Sequence, residues 1–446
     1  MSTNRQAEAT SRWRAPLVFL LIAVLFVLEG TTRNMLFSGS WNSALAILNM
    51  GLISAVMALG VNMQWGYAGL FNAGVVGFVA LGALGPVLVA TAPVPGAWAA
   101  DGPRVLLALA VGLGTLALAA LTWRRLRGWP RVPALIGVLV LGFVLYRELF
   151  DPAVMAIEAN NAASAGNIGG LGWPVLLGWP VGAAFAAAAA WGVGKVALGL
   201  RSDYLAIATL GIGEIIVAAL RNEEWLARGV KNISGIPRPV PYELDLQNDP
   251  GFAARAADWG MDPATASGIW VKLLYAGLFG LVLLALILLA ELALKSPWGR
   301  MMRAIRDNET AAEAMGKNVT GRHLQIFVIG SAVIGLGGAM MVTLDGLLSP
   351  GGFNPLRYTF VIWVMVIVGG SGNNWGAVLG AVLIWYLWIK AEVWGPAFMH
   401  MVTLPLPEGG LKAQLLGGAP HMRFIAMGLV LLLVLRFAPR GLVPEK

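Results

Sequence analysis

The feature that most constrains this chain is a recurrence of apolar stretches. Each is about twenty residues long, nearly free of charge, and set off by short polar or glycine- and proline-containing segments. Wound into an α-helix, such a stretch crosses the hydrocarbon core of a bilayer and closes its own backbone hydrogen bonds there. Candidates lie at 15–31, 41–64, 67–91, 104–123, 132–150, 172–199, 204–220, 269–294, 324–348, 357–371, 376–394 and 422–438. The third is crowded by Gly66, Gly69, Gly74, Gly77, Gly82 and Gly85, and a broken or re-entrant segment is expected there. The seventh is short, holds Gly211 and Gly213, and carries Glu214 at its centre. The expected fold class is all-α: a polytopic transmembrane helical bundle of about 10–12 spans, with broken or re-entrant segments, in a single domain over 1–446.

Composition agrees. The 446 residues are 58% hydrophobic and only 12% charged, with mean hydropathy +0.74; a soluble domain carries roughly 25% charge. The 57 glycines suit a membrane bundle, where small residues let backbones approach closely, and the 18 tryptophans suit its interfaces. The net charge of +8 does not read as a nucleic-acid surface, because no compact basic patch interleaved with aromatics is present. Without cysteine there are no disulfides or thiolate metal sites, and His323, His400 and His421 are too scattered to suggest a histidine-based one.

The positive charges fall in groups: Arg5, Arg12 and Arg14; Arg124, Arg125, Arg127 and Arg131; Lys295, Arg300, Arg303, Arg306, Lys317 and Arg322; and Arg436, Arg440 and Lys446. With twelve alternating spans all four groups share one side, as the positive-inside rule requires, so both termini are expected in the cytoplasm. The run Leu17–Leu28 ends in Glu29 without a small-residue cleavage pattern, and reads as a retained first span. Segments 151–171, 221–268 and 395–421 then face outward, with 221–268, rich in Pro and acidic residues, expected as an ordered cap.

The polar segment 296–322 is the most informative. Ser296 is a good N-cap and Pro297 suits the first helical position. Met301, Ile305, Ala312 and Met315 form an apolar stripe, and Arg303 and Asp307 are spaced to pair on the outer face. Gly316 with Asn318 signals a stop, and Thr320 is expected to cap the next span. A short amphipathic helix, or a pair, should project here. A solvated or lipid-lying helix is the plain alternative, but this one is small, smooth and capped at both ends.

Ala311-Ala312-x-x-x-Gly316 resembles the EAA-type loop by which permease subunits of ABC importers dock on their ATPases. The wider string Ser296-Pro-x-Gly299-Arg-x-x-x-Ala304-Ile-Arg-x-Asn308-Glu-x-Ala311-Ala-x-x-x-Gly316-x-Asn318-Val resembles the LivM-type permeases of branched-chain amino acid importers. So do Arg201-Ser-Asp-Tyr-Leu-Ala-Ile-Ala-Thr-Leu-Gly-Ile-Gly-Glu214 and, more loosely, Gly66-Tyr-Ala-Gly69-x-x-Asn-Ala-Gly74. Gly235-Ile-Pro237, the Gly369–Gly380 glycine string and Pro439-Arg-Gly-Leu442 also fit. The likeness covers roughly 41–91 and 172–442, and departs at 104–150, where an apolar hairpin looks inserted.

The resemblance implies an inner-membrane permease with a sister permease subunit (LivH-like), two cytoplasmic ABC ATPases and a periplasmic substrate-binding protein. It implies that 296–322 is the coupling loop, with Arg303, Arg306, Asn308, Glu309, Ala311, Ala312, Gly316 and Asn318 at the ATPase joint. The chain has no Gly-x-x-x-x-Gly-Lys-Ser/Thr string, since Gly192-Val-Gly-Lys195-Val lacks both the spacing and the hydroxyl. No cofactor is expected in this chain, ATP being bound by partner subunits, and no catalytic constellation or metal cluster is recognisable. Candidate pathway residues are Gly66, Tyr67, Gly69, Asn72, Gly74, Gly211, Gly213 and Glu214. Glu214 is either functional or bonded to a backbone break near Gly211 and Gly213, with equal weight. The Gly66–Gly77 stretch is either unwound backbone facing a zwitterion or, more often in such bundles, close packing. Gly376-x-x-x-Gly380 reads as a packing face, and Asp345 as interfacial. Urea or short amides are an alternative cargo, and a self-sufficient secondary transporter or channel an alternative class.

Overall fold

The computed structural model describes residues 2–160, 166–407 and 409–445, with side chains from Ala15 onward. The side chains of Arg5, Arg12 and Arg14, and Lys446, therefore lie outside the described residues. In chain order the helices are α1 (Ser2–Thr31), α2 (Trp41–Ala68), α3 (Val75–Ala90), α4 (Pro95–Arg125), α5 (Arg131–Ala159), α6 (Gly178–Ala197) and α7 (Ser202–Asn222). After α7 come the short α8 (Glu224–Ala227), α9 (Glu243–Asn248) and α10 (Pro250–Asp258), then α11 (Pro263–Lys295), α12 (Pro297–Asp307), α13 (Glu309–Ala314) and α14 (Val319–Asp345). The chain closes with α15 (Val361–Gly369), α16 (Asn374–Thr403), α17 (Gly410–Gly417) and α18 (Met422–Phe437). Among the described residues nine helices are long and apolar enough to cross a membrane, and Ala15–Thr31, Val75–Ala90 and Leu356–Gly369 are shorter apolar helices at the remaining expected positions. The chain is a polytopic helical membrane protein.

Local chemistry fixes the helix ends. Ser40, Asp262 and Asn373 each turn a side-chain oxygen onto the open amides of the helix that follows, Asp262 accepting from the Thr265 N–H at 2.9 Å. Gly69 ends α2 in the left-handed region at φ +69°, which costs other residues steric strain.

Helices α2, α3, α14 and α16 form the centre and are buried almost all round. Around them, α7 buries a single stripe of Leu205, Thr209, Gly213, Val217 and Leu220, and α11 one of Val271, Tyr275, Phe279, Leu283 and Ile287. The seventh candidate span is thus one regular helix, unbroken at Gly211 and Gly213.

One end of the bundle gathers 221–268 and 346–353. Ile233–Ser234 pairs antiparallel with Leu347–Leu348, and the Arg221 guanidinium donates to the carbonyls of Pro350 and Phe353 at 3.2 and 3.0 Å. Segment 221–268 holds α8, α9, α10 and the Ile233–Ser234 strand. The other end, which holds Lys295–Arg306, gathers the break between α2 and α3, the α15–α16 turn and the chain's last residues. There Leu442 and Val443 donate their amides to the carbonyls of Val368 and Gly369 at 2.8 and 2.9 Å. Gly376 and Gly380 face backbone oxygens at distances that admit no side chain, so that string is a packing face.

Helices α4 and α5, longer than the expected hairpin, pack mainly on each other. They touch the bundle near one end, through Trp98 donating to the Ile168 carbonyl at 2.9 Å and an edge contact of Phe150 with Trp225. Helix α4 is kinked at Asp101, whose φ of −169° is extended.

Candidate functional site: a projecting helix pair set against a broken span

Ser296 Oγ accepts from the Gly299 N–H and starts α12 on Pro297. Asn308, extended at φ −157°, ends α12 and caps α13 by accepting from the Ala311 N–H at 2.9 Å. Gly316, at φ +75°, ends α13. The segment is a helix pair, as expected, but three details differ. The next span is capped by Asn318, which accepts from the Gly321 N–H at 2.9 Å, and not by Thr320. Arg303 does not pair with Asp307: it reaches back to the Leu294 carbonyl at 3.4 Å, and Arg306 takes Asp307 at 3.3 Å. The apolar stripe breaks with the helix, so Ile305 and Ala312 are buried with Val319 while Met315 is 79% exposed. Ala311, Ala314, Met315 and Gly316 form a smooth outward knob; Asn308, Glu309 and Asn318 are exposed around it.

Arg306 turns inward. Its guanidinium donates to the Gly66 carbonyl in the last turns of α2, and to Glu445 Oε2 at 2.9 Å. Burial acts against this charge, but the Glu445 and Asp307 carboxylates more than offset it, and the guanidinium pKa lies above its ordinary value. The helix pair is therefore bonded directly to the broken span, 240 residues away in sequence.

The break, residues 69–74, is held by side chains. Asn72 donates to Gln64 Oε1 at 2.9 Å and accepts from the Gly74 N–H at 2.9 Å, while its carbonyl accepts from Trp363 at 2.9 Å. Gln64 donates to the Phe327 carbonyl and to Ser331 Oγ, both at 2.9 Å. Ala73 N–H donates to Thr209 Oγ1 of α7 at 3.0 Å. Tyr67 donates its hydroxyl to Asn374 Oδ1, and Asn374 donates to Glu291 Oε1 at 3.0 Å. A side chain at Gly74 would lie 2.2 Å from the Thr209 carbonyl oxygen. An unpaired buried polar group costs about 1–3 kcal/mol, so this mutual pairing is what allows an irregular segment inside a bundle.

The candidate pathway residues consequently divide. Gly66, Tyr67, Asn72, Gly74 and Gly213 are buried within the protomer and committed to packing or internal hydrogen bonds. The break does not present a set of free carbonyls and amides to a ligand; close packing describes it. Gly69, Gly211 and Glu214 face outward. Because α7 is unbroken, no backbone gap holds Glu214, which shares an exposed face with Tyr204, Ile207 and Ile215. Three participants had no local sequence signal: Asn374, Glu445 and Thr209 matter through partners 136 to 307 residues distant.

A polytopic helical bundle with an exposed helix pair bonded to a broken central span is consistent with a membrane permease. Residues 133–435 match the model of the family described as "Branched-chain amino acid transport system / permease component", and the chain belongs to that family. It is 32% identical over 287 residues to the high-affinity branched-chain amino acid transport system permease protein LivM of Escherichia coli (strain K12), covering 61% of this chain and 63% of that one. It is 33% identical over 259 residues to the Salmonella typhimurium protein of the same name, covering 57% of each. It is 24% identical over 247 residues to a probable LivM permease of Methanocaldococcus jannaschii, covering 55% and 61%. The chain thus spans somewhat less than two thirds of the curated relatives it matches. No solved structure matches it.

Proposed function

We propose that this chain is the permease subunit of an ATP-driven importer of branched-chain or related small apolar amino acids. The end of the bundle holding α12 and α13 is then cytoplasmic. The observation that carries the reading is the bond from Arg306 to the Gly66 carbonyl, which joins an exposed partner-facing helix to the break in a central span. Two ATPases in the cytoplasm dock on the Ala311–Gly316 knob, and their closure moves α12. Arg306 passes that displacement to the end of α2, and the amide of Ala73 passes it to Thr209 on α7. A carboxylate facing lipid at mid-span costs roughly 3 kcal/mol or more, so the exposed Glu214 of α7 supports a watery seam there, shared with a sister permease subunit. A periplasmic binding protein delivers the solute at the 221–268 end, in the inner membrane of a bacterium.

Uptake by the complete importer in proteoliposomes tests this. Gly316→Arg fills the knob with a charged side chain at a left-handed position, and at least a hundredfold loss of ATP-driven uptake is expected, about 2.7 kcal/mol. The ATPases should also be lost on co-purification, while the isolated chain loses no more stability on thermal unfolding than the about 1–2 kcal/mol that a left-handed non-glycine residue costs. Full uptake with retained ATPases would refute the docking reading. Competition by leucine but not by urea separates the proposed cargo from the amide alternative.

A further inference from the structure

A cavity of about 400 Å³ lies between α11, α12, the α15–α16 turn, the last residues of the chain and Ala15 of α1. Its wall holds Glu291, Lys295 and Arg303, together with Trp375, Val443 and Pro444. Most polar groups of the wall are spoken for. Asn373 caps α16 with its oxygen and donates to the Pro444 carbonyl; Asn374 accepts from Tyr67 and donates to Glu291 Oε1. Glu445 is paired with Arg306. What is left is one oxygen of Glu291, the Lys295 ammonium and most of the Arg303 guanidinium. Among the described residues, neither Lys295 nor Arg303 has a carboxylate in ion-pair contact, and Glu291 has no cation.

Charges of both signs that face one cavity with no ion-pair partner among the described residues select against simple ions. Glu291 repels an anion, and Lys295 with Arg303 repels a cation. A molecule carrying both charges satisfies all three groups, its carboxylate on Arg303 and Lys295 and its ammonium on Glu291. Trp375, 48% exposed beside Val443 and Pro444, offers the apolar surface on which a short hydrocarbon side chain would rest. We propose that this cavity binds a small zwitterion, an α-amino acid with an apolar side chain. Such a ligand ties α11 to α12. Arg303 shares its helix with Arg306, which holds the end of α2, and Glu291 holds Asn374, to which Tyr67 of α2 donates. Occupancy therefore stiffens the joint between α12 and the broken span. That such stiffening would slow transport when the imported solute accumulates inside rests on the transport reading; the binding itself does not.

Calorimetric titration of the purified full-length chain in lipid nanodiscs tests the binding without any transport. L-leucine should bind. Its methyl ester, which lacks the carboxylate, and 4-methylpentanoate, which lacks the ammonium, should each bind at least about tenfold more weakly, about 1.4 kcal/mol. Glu291→Gln and Lys295→Glu should weaken leucine by a similar factor, while Arg147→Gln, on the peripheral hairpin, leaves it unchanged. Lys295 is exposed, so Lys295→Glu keeps the fold even where Glu291→Gln does not. No binding of leucine up to its solubility limit, equal binding of either analogue, or unaltered affinity in Lys295→Glu would each overturn the proposal.

Discussion

The central seam of α2, α3 and α14 and the peripheral hairpin of α4 and α5 are both glycine-containing, apolar and helical, yet their glycines do different work. In the seam, a Cβ on Gly82 would lie 1.9 Å from the Gly335 carbonyl oxygen, and one on Gly338 2.1 Å from that of Val79. Backbone meets backbone there, and glycine is the only residue that fits. On the hairpin, Gly114 and Gly137 meet nothing within 4 Å, and Leu113, Leu116, Leu141 and Phe143 are exposed around them. The seam's apolar residues bury one another; the hairpin's are left for the surrounding lipid. Composition alone does not distinguish these cases, because lipid is as good a solvent for leucine as a protein core is.

The largest expected effect breaks the seam. Gly82→Leu or Gly338→Leu must force α3 and α14 apart, at a cost above about 3 kcal/mol. Loss of monodisperse protein on gel filtration, or a large fall in melting temperature, should follow. A near-native melting temperature would mean that the helices are not in backbone contact.

A second test sets a core ion pair against a hairpin one. Lys390 and Glu29 join α16 to α1 at 2.6 Å, with both side chains almost wholly buried, and Tyr386 and the Ser38 amide complete the carboxylate's shell. Arg147 and Asp151 pair at 2.8 Å within α5, half in the open. Lys390→Met strands a buried charge and should cost about 3–5 kcal/mol, whereas Arg147→Met should cost less than about 1 kcal/mol. Thermal unfolding of the two variants in one detergent measures the gap. Equal shifts would show that the Glu29 pair is hydrated and α1 loosely held.

The positions of the spans were legible because a bilayer imposes a length and a polarity on each of them. The helix pair at 297–314 was legible because Ser296, Pro297 and Gly316 are local signals. Thr320 was the expected cap of the next span, but the helix starts one residue before it, and Asn318, read only as part of the stop signal, supplies the capping oxygen to the Gly321 N–H. Arg303 and Asp307 had the right spacing, but spacing says nothing of the Leu294 carbonyl lying behind the helix. The wiring of the site was not legible at all. Arg306 to Gly66, Tyr67 to Asn374 and Ala73 to Thr209 are contacts between distant segments that only the packing of whole helices decides. For the same reason Glu214 at mid-span signalled a special environment without showing which way it faced.

The smallest expected effect is on the hairpin, and it is informative because it is small. Gly114→Leu and Gly137→Leu place new side chains in open space on helices whose backbone needs no glycine there. Replacing glycine in a helix interior gains up to about 1 kcal/mol of helix propensity, and leucine on a lipid-facing surface costs nothing to solvate. The purified chain should therefore melt at the same temperature or slightly higher. The same variants expressed with the subunits of the proposed importer should assemble equally well if lipid covers this face. Unchanged stability of the isolated chain with failed assembly would mean that another helix packs against Gly114 and Gly137, and that the hairpin's glycines, like those of the seam, are there to let two backbones meet.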